Sequence, residues 1–136
     1  MANESGKIDM ASLVQKEWTT MTFFHPVTHK EIPGLTMEVY SRDSQHFRSV
    51  EDQIQNKRYR KGRSQRGLNL DAAEIREDEI KLLAHGAIKS WAGPWELHAK
   101  PIPYSKENAV LLLSEVAFIK RQIDDYVGTD ANFLES

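Results

Sequence analysis

The fold class is decided by residues 18–40, whose sequence is WTTMTFFHPVTHKEIPGLTMEVY. Trp18 to Phe24 is rich in aromatic and β-branched residues, which favour strands. Leu35 to Tyr40 alternates apolar and polar residues at the period of two that a half-buried strand requires. His25-Pro26 interrupts the first run, and Pro33-Gly34 marks a turn before the second. The stretch predicts a β-hairpin with a ten-residue polar loop, and because an isolated hairpin is only marginally stable, we expect it to pack on helices.

Two long helices are predicted in the second half of the chain. One begins at Asp71 and ends at Gly93-Pro94, and the other begins at Ser105 and ends at Gly128. Apolar residues recur at spacings of three and four, which predicts one buried face on each helix. These faces contain Ile80, Leu83, Ala84, Ala87, Ile88 and Trp91 in the first, and Leu112, Val116, Ile119, Ile123 and Val127 in the second. The predicted fold is α+β and mostly helical, with an N-terminal β-hairpin packed on about three α-helices.

A further helix, which begins at Asp43-Ser44, leads into the most basic part of the chain. Six of the ten residues from 57 to 66 are Lys or Arg, and we expect the helix to fray here into a mobile loop. Clustered basic residues favour phosphate contact through counterion release, and Tyr59 offers a ring for stacking on a base. The acidic residues 71–79 offset this charge locally, so an acidic partner protein or a solvated loop is preferred to nucleic acid. The candidate contact residues are Lys57, Arg58, Arg60, Lys61 and Arg63.

Three apolar residues are further candidates for partner binding. Trp95 lies in a proline-rich connector and is expected to be more available to a partner than Trp91, which lies on a core face. Leu111 and Phe118 lie outside the main stripe of the last helix and are seven residues apart, which places them near each other on one helix surface. A second apolar face of this kind predicts a partner protein or self-association.

Composition limits the chemistry of the chain. With 136 residues it fits one domain, and we assign residues 18–128 to it, between a loosely ordered segment 1–17 and a tail 129–136. The absence of cysteine excludes disulfides, thiolate zinc sites and thiol nucleophiles. The net charge of −2 does not indicate a general nucleic-acid binder. Neither a membrane span nor a secretory signal is apparent, so we expect a cytoplasmic location.

The histidines and carboxylates do not form a recognisable catalytic pattern. His25 and His29 have the HxxxH spacing of a metal site, but Pro26 stands where a zinc protease needs glutamate, and both lie in the predicted loop. His85 has no nucleophile or substrate pocket indicated nearby. No phosphate-binding glycine loop is present. We expect no enzymatic activity, no cofactor and no metal, with His25 and His29 on the surface and His85 a satisfied polar residue at the edge of the core.

Several short motifs follow one another in a fixed order over roughly residues 20–134. The N-terminal motifs are His25-Pro26-Val27-Thr28-His29 and Asp43-Ser44 with Phe47-Arg48. The C-terminal motifs are Ser90-Trp91-Ala92-Gly93, Ile102-Pro103-Tyr104-Ser105-Lys106-Glu107-Asn108, Leu111 to Ile123 and Asn132-Phe133-Leu134. In this order the motifs resemble the tail assembly chaperones of long-tailed bacteriophages, although that family commonly has an acid in place of His25 and glycine in place of His29.

This resemblance implies a non-catalytic function in the host cytoplasm. Such chaperones bind the tape-measure protein, keep it soluble, recruit tail-tube subunits and leave before the tail is finished. Two alternatives stay open from the sequence. One is a nucleic-acid-binding module that uses residues 57–66, and the other is a minor structural or completion protein that remains in the phage tail.

Overall fold

The β-hairpin predicted from residues 18–40 is present in the computed structural model, which describes residues 9–64, 72–93 and 95–134. Strand β1 (Trp18–Phe24) pairs antiparallel with β2 (Glu31–Tyr40). The loop is shorter than predicted, because Pro33-Gly34 lies inside β2 and forms no chain reversal. Gly34 has a φ of 79°, a left-handed conformation that glycine adopts without steric cost. The predicted turn residues therefore produce an irregularity within the strand.

The helix predicted from Asp71 to Gly93 is three elements in the structure. Helix α2 (Ala72–Lys81) continues into a π-helical segment (Leu82–Ala87), and then strand β3 (Ile88–Trp91) pairs antiparallel with β2. The helical prediction is wrong for residues 88–91, because β2 presents a second edge whose N–H and C=O groups need partners. The residues predicted to form the buried face of this helix are nevertheless buried, although part of their backbone is not helical. Ile80 is half-buried, and the buried ones are Leu83, Ala84, Ala87, Ile88 and Trp91.

The last predicted helix is interrupted at Val116. Helix α3 (Lys106–Glu115) and helix α4 (Ala117–Val127) flank this residue, whose φ of −118° and ψ of 90° are extended. The predicted N-terminal cap is confirmed, since the Ser105 hydroxyl oxygen accepts a hydrogen bond from the backbone N–H of Asn108 at 3.0 Å. With α1 (Gln45–Ser64), the described residues contain four α-helices and a three-stranded sheet of order β1-β2-β3. The α+β, mostly helical fold class is confirmed.

One face of the sheet packs on the helices to form the core. The core side of the sheet carries Thr19, Met21 and Phe23 of β1 and Leu35, Met37 and Val39 of β2, at the spacing of two that a strand imposes. The buried side chains of the sheet are Met21, Phe23, Met37, Val39, Ile88 and Trp91, and those of α3, α4 and the segment after them are Ala109, Leu112, Leu113, Ile119, Ile123, Val127 and Phe133. The outer face of the sheet is left to solvent, as is common in antiparallel sheets.

A second, two-stranded hairpin follows the sheet. Strands β4 (Glu96–Leu97) and β5 (Lys100–Pro101) are joined by His98 and Ala99, whose φ angles are 53° and 62°. Two consecutive positive φ angles in a two-residue loop define a type I′ turn, which asparagine and glycine usually occupy.

The domain extends beyond the predicted limits of 18 and 128. The backbone N–H of Lys16 donates to the carbonyl of Phe133 at 2.7 Å, and Phe133 is fully buried. A 3-10 turn (Asp130–Phe133) carries this side chain into the core. The assignment of residues 129–134 to a tail is therefore wrong, because one large apolar side chain outweighs the polar composition around it. Residues 1–8 and 135–136 of the predicted terminal segments lie outside the described part of the chain.

Candidate partner-binding surface

The basic residues singled out from the sequence lie on a continuous helix, not on a loop. Helix α1 continues to Ser64, and the prediction that it frays from residue 57 is wrong. Lys and Arg are good helix formers, and cations are favoured near the C-terminal end of a helix, where the dipole is negative. Lys57 and Arg60 are exposed. Lys61 and Arg63 belong to α1 by their backbone, while their side chains lie outside the described part of the structure.

Arg58 differs from its basic neighbours because it faces α2. Its Nε donates to Asp78 Oδ2 at 2.7 Å, and both side chains are partly buried. A cleft of about 210 Å³ surrounds this ion pair and is lined by Ile54, Lys57, Arg58, Glu74, Glu77, Asp78 and Lys81. Arg58 therefore joins the two helices, and its charge is largely used within the protein.

Residues 54–60 of α1 and helix α2 together form what we call the charged helix pair. Among the side chains described for α1, only Phe47 is buried, and none of α2 is buried. Tyr59 and Ile75 are exposed by 62% and 41%. Two helices that contribute so little to the core keep most of their charged and apolar side chains available at the surface.

Trp95 is not available to a partner, contrary to the sequence prediction. It is only 5% exposed. Its ring stacks on Trp91 with the centroids 5.2 Å apart, and it meets the edge of Phe23 at 5.8 Å. The connector folds back because Ile102 N–H bonds to the Trp95 carbonyl at 2.9 Å. The positions of Trp91 and Trp95, close to each other in sequence on the two sides of Gly93, were a signal for this stacking. This signal was not used in the sequence prediction.

Leu111 and Phe118 do not form the shared helical face that was predicted. The break at Val116 separates them, so the seven-residue spacing no longer describes one helix. Leu111 on α3 is 45% exposed. Phe118 on α4 is half-buried and packs against the core. Of these two residues, Leu111 is therefore the one whose side chain is exposed, as a contact residue requires.

A groove that the sequence analysis missed lies between β1 and α4. Its volume is about 260 Å³, and it is lined by Met21, Thr22, Phe24, Gln122, Asp125, Tyr126, Thr129 and Asn132. The Gln122 side chain closes one end: its Oε1 accepts from Phe24 N–H at 2.9 Å and its Nε2 donates to the Phe24 carbonyl at 2.7 Å. Phe24 is 46% exposed. In the sequence, the one signal for this groove was the aromatic Phe24 at the end of the predicted strand. The groove itself could not be predicted, because it forms only where α4 packs beside β1.

His25 and His46 have structural partners within the protein. His25 Nδ1 accepts hydrogen bonds from Val27 N–H and Thr28 N–H at 3.1 and 3.3 Å, so this ring belongs to its own turn. His46 stacks on Tyr40 with centroids 4.1 Å apart. Burial lowers the pKa of His85, and the nearby Lys106 and Lys81 charges lower it further. Within residues 9–64, 72–93 and 95–134, no three His, Asp or Glu side chains are grouped so that they could hold a metal ion.

Comparisons with known proteins do not add a family to this description. Protein-family models, curated proteins and solved structures each yield no match to the chain. In the part of the chain that the structure describes, no helix has the length and apolar character needed to cross a membrane. The surfaces described above are therefore the basis for a functional assignment, together with the resemblance noted in the sequence.

Proposed function

We propose that this protein is a non-catalytic binding protein, and specifically a tail assembly chaperone of a long-tailed bacteriophage. In the host cytoplasm it binds the tape-measure protein and recruits tail-tube subunits during tail assembly. The resemblance over residues 20–134 supports this proposal from the sequence.

The charged helix pair is the observation that carries the proposal. It offers Lys57, Tyr59 and Arg60 on one helix and Ile75 on the other. Among the described side chains of the two helices, Phe47 is the buried one, and Ile80 is half-buried against the core. Exposed apolar residues among charges of both signs suit reversible binding to amphipathic helices of a partner, because charge governs the rate of encounter and apolar contact supplies affinity. A chaperone that must later leave its client needs this balance.

Co-expression with the tape-measure protein tests the proposal. We expect the tape-measure protein to be insoluble when it is made alone, and to become soluble and co-purify when this protein is present. A tape-measure protein that stays insoluble, with nothing co-purifying, would contradict the proposal.

Charge reversal at Lys57 and Arg60 tests whether the charged helix pair is the contact surface. Both side chains are exposed, and the variant leaves the Arg58–Asp78 ion pair intact. We expect K57E/R60E to bind the tape-measure protein about tenfold more weakly at 0.15 M salt, with a smaller difference from wild type at higher salt. Arg121→Glu is the matched control, because Arg121 is an exposed basic residue on α4. Equal weakening by both changes would remove the helix pair as the specific surface.

The same surface supports a second candidate function. Lys57, Tyr59 and Arg60 are all exposed on α1, and exposed cations and an aromatic ring are the groups that contact phosphate and stack on a base. Salt-sensitive retention on DNA or RNA that K57E/R60E abolishes would favour nucleic-acid binding over the chaperone function. Mass spectrometry of finished virions tests the other alternative, since a chaperone is absent from them and a tail-completion protein is present.

A further inference from the structure

Strand β1 has one edge that faces away from the sheet. Among the described residues it is the outermost strand of the sheet, and β2 is its one partner there. Ser41 N–H donates to the Glu17 carbonyl at 3.0 Å, and because antiparallel pairs alternate, the odd-numbered residues of β1 bond to β2. The backbone N–H and C=O groups of Trp18, Thr20 and Thr22 therefore point outward. Their N–H groups meet no acceptor among the described residues.

Both ends of this outward edge are already bonded as if another strand were present. At one end, Lys16 N–H donates to the Phe133 carbonyl at 2.7 Å. At the other end, the Gln122 carboxamide makes both a donor and an acceptor bond to Phe24, at 2.7 and 2.9 Å. A carboxamide carries the same N–H and C=O groups as a peptide bond, so Gln122 bonds to Phe24 as a neighbouring strand would. Between these ends, the Tyr126 hydroxyl lies 3.5 Å from the Thr20 carbonyl oxygen and donates a long hydrogen bond to it.

The groove beside this edge has a defined chemical character. Met21, Phe24 and the Tyr126 ring provide apolar walls. The Asp125 carboxylate lies on the rim without an ion pair or side-chain hydrogen bond in the described structure, whereas its neighbour Asp124 is paired with Arg42. An apolar side chain would bury surface in this groove, and a basic side chain would pair with Asp125.

We propose that an extended segment of the partner adds to β1 as a fourth strand, opposite residues 18–22. Its backbone bonds to the outward groups of Trp18, Thr20 and Thr22, its apolar side chain enters the groove, and a Lys or Arg pairs with Asp125. The Tyr126 hydroxyl turns aside to admit it. The segment belongs to the tape-measure protein, so this inference rests on the proposed function and adds a second contact to the charged helix pair.

The outward N–H of Thr20 allows a specific test. Thr20→Pro removes this N–H but no hydrogen bond to β2, and proline is tolerated at such positions of edge strands. Thr20→Val is the matched control, because it keeps the N–H and the β-branched shape. The probes are the full tape-measure protein and immobilised overlapping peptides that span its sequence. We expect Thr20→Val to bind as wild type does, Thr20→Pro to bind at least about tenfold more weakly, and the captured peptides to carry apolar residues with Lys or Arg.

Amide hydrogen exchange keeps the inference testable if Thr20→Pro is unstable. In the free protein the amides of Thr20 and Thr22 should exchange fast and those of Thr19 and Met21 slowly. In the complex, exchange at Thr20 and Thr22 should slow at least about tenfold as the new strand forms. Unchanged exchange there, or wild-type affinity in a folded Thr20→Pro variant, overturns strand addition alone. Failure of the wild-type protein to bind the tape-measure protein overturns the proposed function itself.

Discussion

Phe47→Ala should remove the one buried side chain that the described part of α1 contributes to the core. Phe47 is fully buried, and the nearest atom to a Cβ placed on Gly86 would be in its ring, at 3.3 Å. Glycine has no side chain that could move into the space left by the ring. Truncation of a buried Phe to Ala costs about 3–5 kcal/mol, and loss of the Arg42 guanidinium above the ring, 5.4 Å from its centroid, adds about 0.5 kcal/mol. We therefore expect a loss of about 4 kcal/mol in the free energy of unfolding.

Urea unfolding followed by circular dichroism measures this loss. With a slope of about 2 kcal/mol per molar urea, a loss of about 4 kcal/mol lowers the midpoint by about 2 M. Tyr59→Ala is the control on the same helix, because Tyr59 is exposed, and it should change stability by less than about 0.5 kcal/mol. A loss below about 1.5 kcal/mol for Phe47→Ala would mean that α1 is held by something other than this contact, and the account of the charged helix pair would have to be revised.

Three further changes test other parts of the structure, each through the urea midpoint. Gly86→Ala should destabilise the protein by about 1 kcal/mol, because overpacking at about 1–3 kcal/mol outweighs the gain from a less flexible unfolded chain. Gly128→Ala should be nearly neutral, since its Cβ would meet only ordinary contacts at 3.4 Å or more. Equal effects of the two changes would contradict the packing argument. Ala99→Gly should stabilise by about 0.5 kcal/mol by relieving the left-handed backbone of the β4–β5 turn, and a destabilised variant would argue against that turn. The pKa of His85 is lowered on folding by burial and by Lys106. The unfolded chain therefore binds the proton more tightly, and the free energy of unfolding should fall as the pH drops below about 6.5. His85→Gln should reduce this pH dependence, and an unchanged slope of the unfolding free energy against pH would exclude His85 as its source.

The hairpin was predictable because period-two alternation is a local signal. The pattern at residues 35–40 identified both the strand and its buried side, and Met37 and Val39 are buried as it implies. Buried positions in the second half were also predictable. Leu83, Ala84, Ala87 and Trp91 are apolar, and apolar side chains tend to be buried whether the backbone is helix or strand. Apolar character specifies burial more directly than it specifies helix or strand.

Features that depend on distant partners were not predictable in the same way. Residues 88–91 form a strand because β2 is nearby with a free edge, and the local spacing of Ile88 and Trp91 fits a helix as well. Trp95 is buried because Trp91 provides a ring to stack on after the turn. The groove requires β1 and α4 to meet, although Phe24 and Gln122 are 98 residues apart in sequence. Of the candidate contacts proposed from sequence, Lys57, Arg60 and Leu111 are exposed in the structure, whereas the edge of β1 was not among those candidates.

The position of Phe133 has a consequence for how the protein is made. Its side chain fills the core and its carbonyl bonds to Lys16, at the start of the hairpin. Among the buried residues that the structure describes, Phe133 is the last to leave the ribosome, so the hairpin and helices must wait for it before the core can close. Until then the partly made domain has a gap the size of a phenyl ring, and a chain that stops before residue 130 keeps this gap permanently. Folding therefore waits for translation of residue 133, which delays the moment at which the closed domain can bind a partner that is being synthesised beside it.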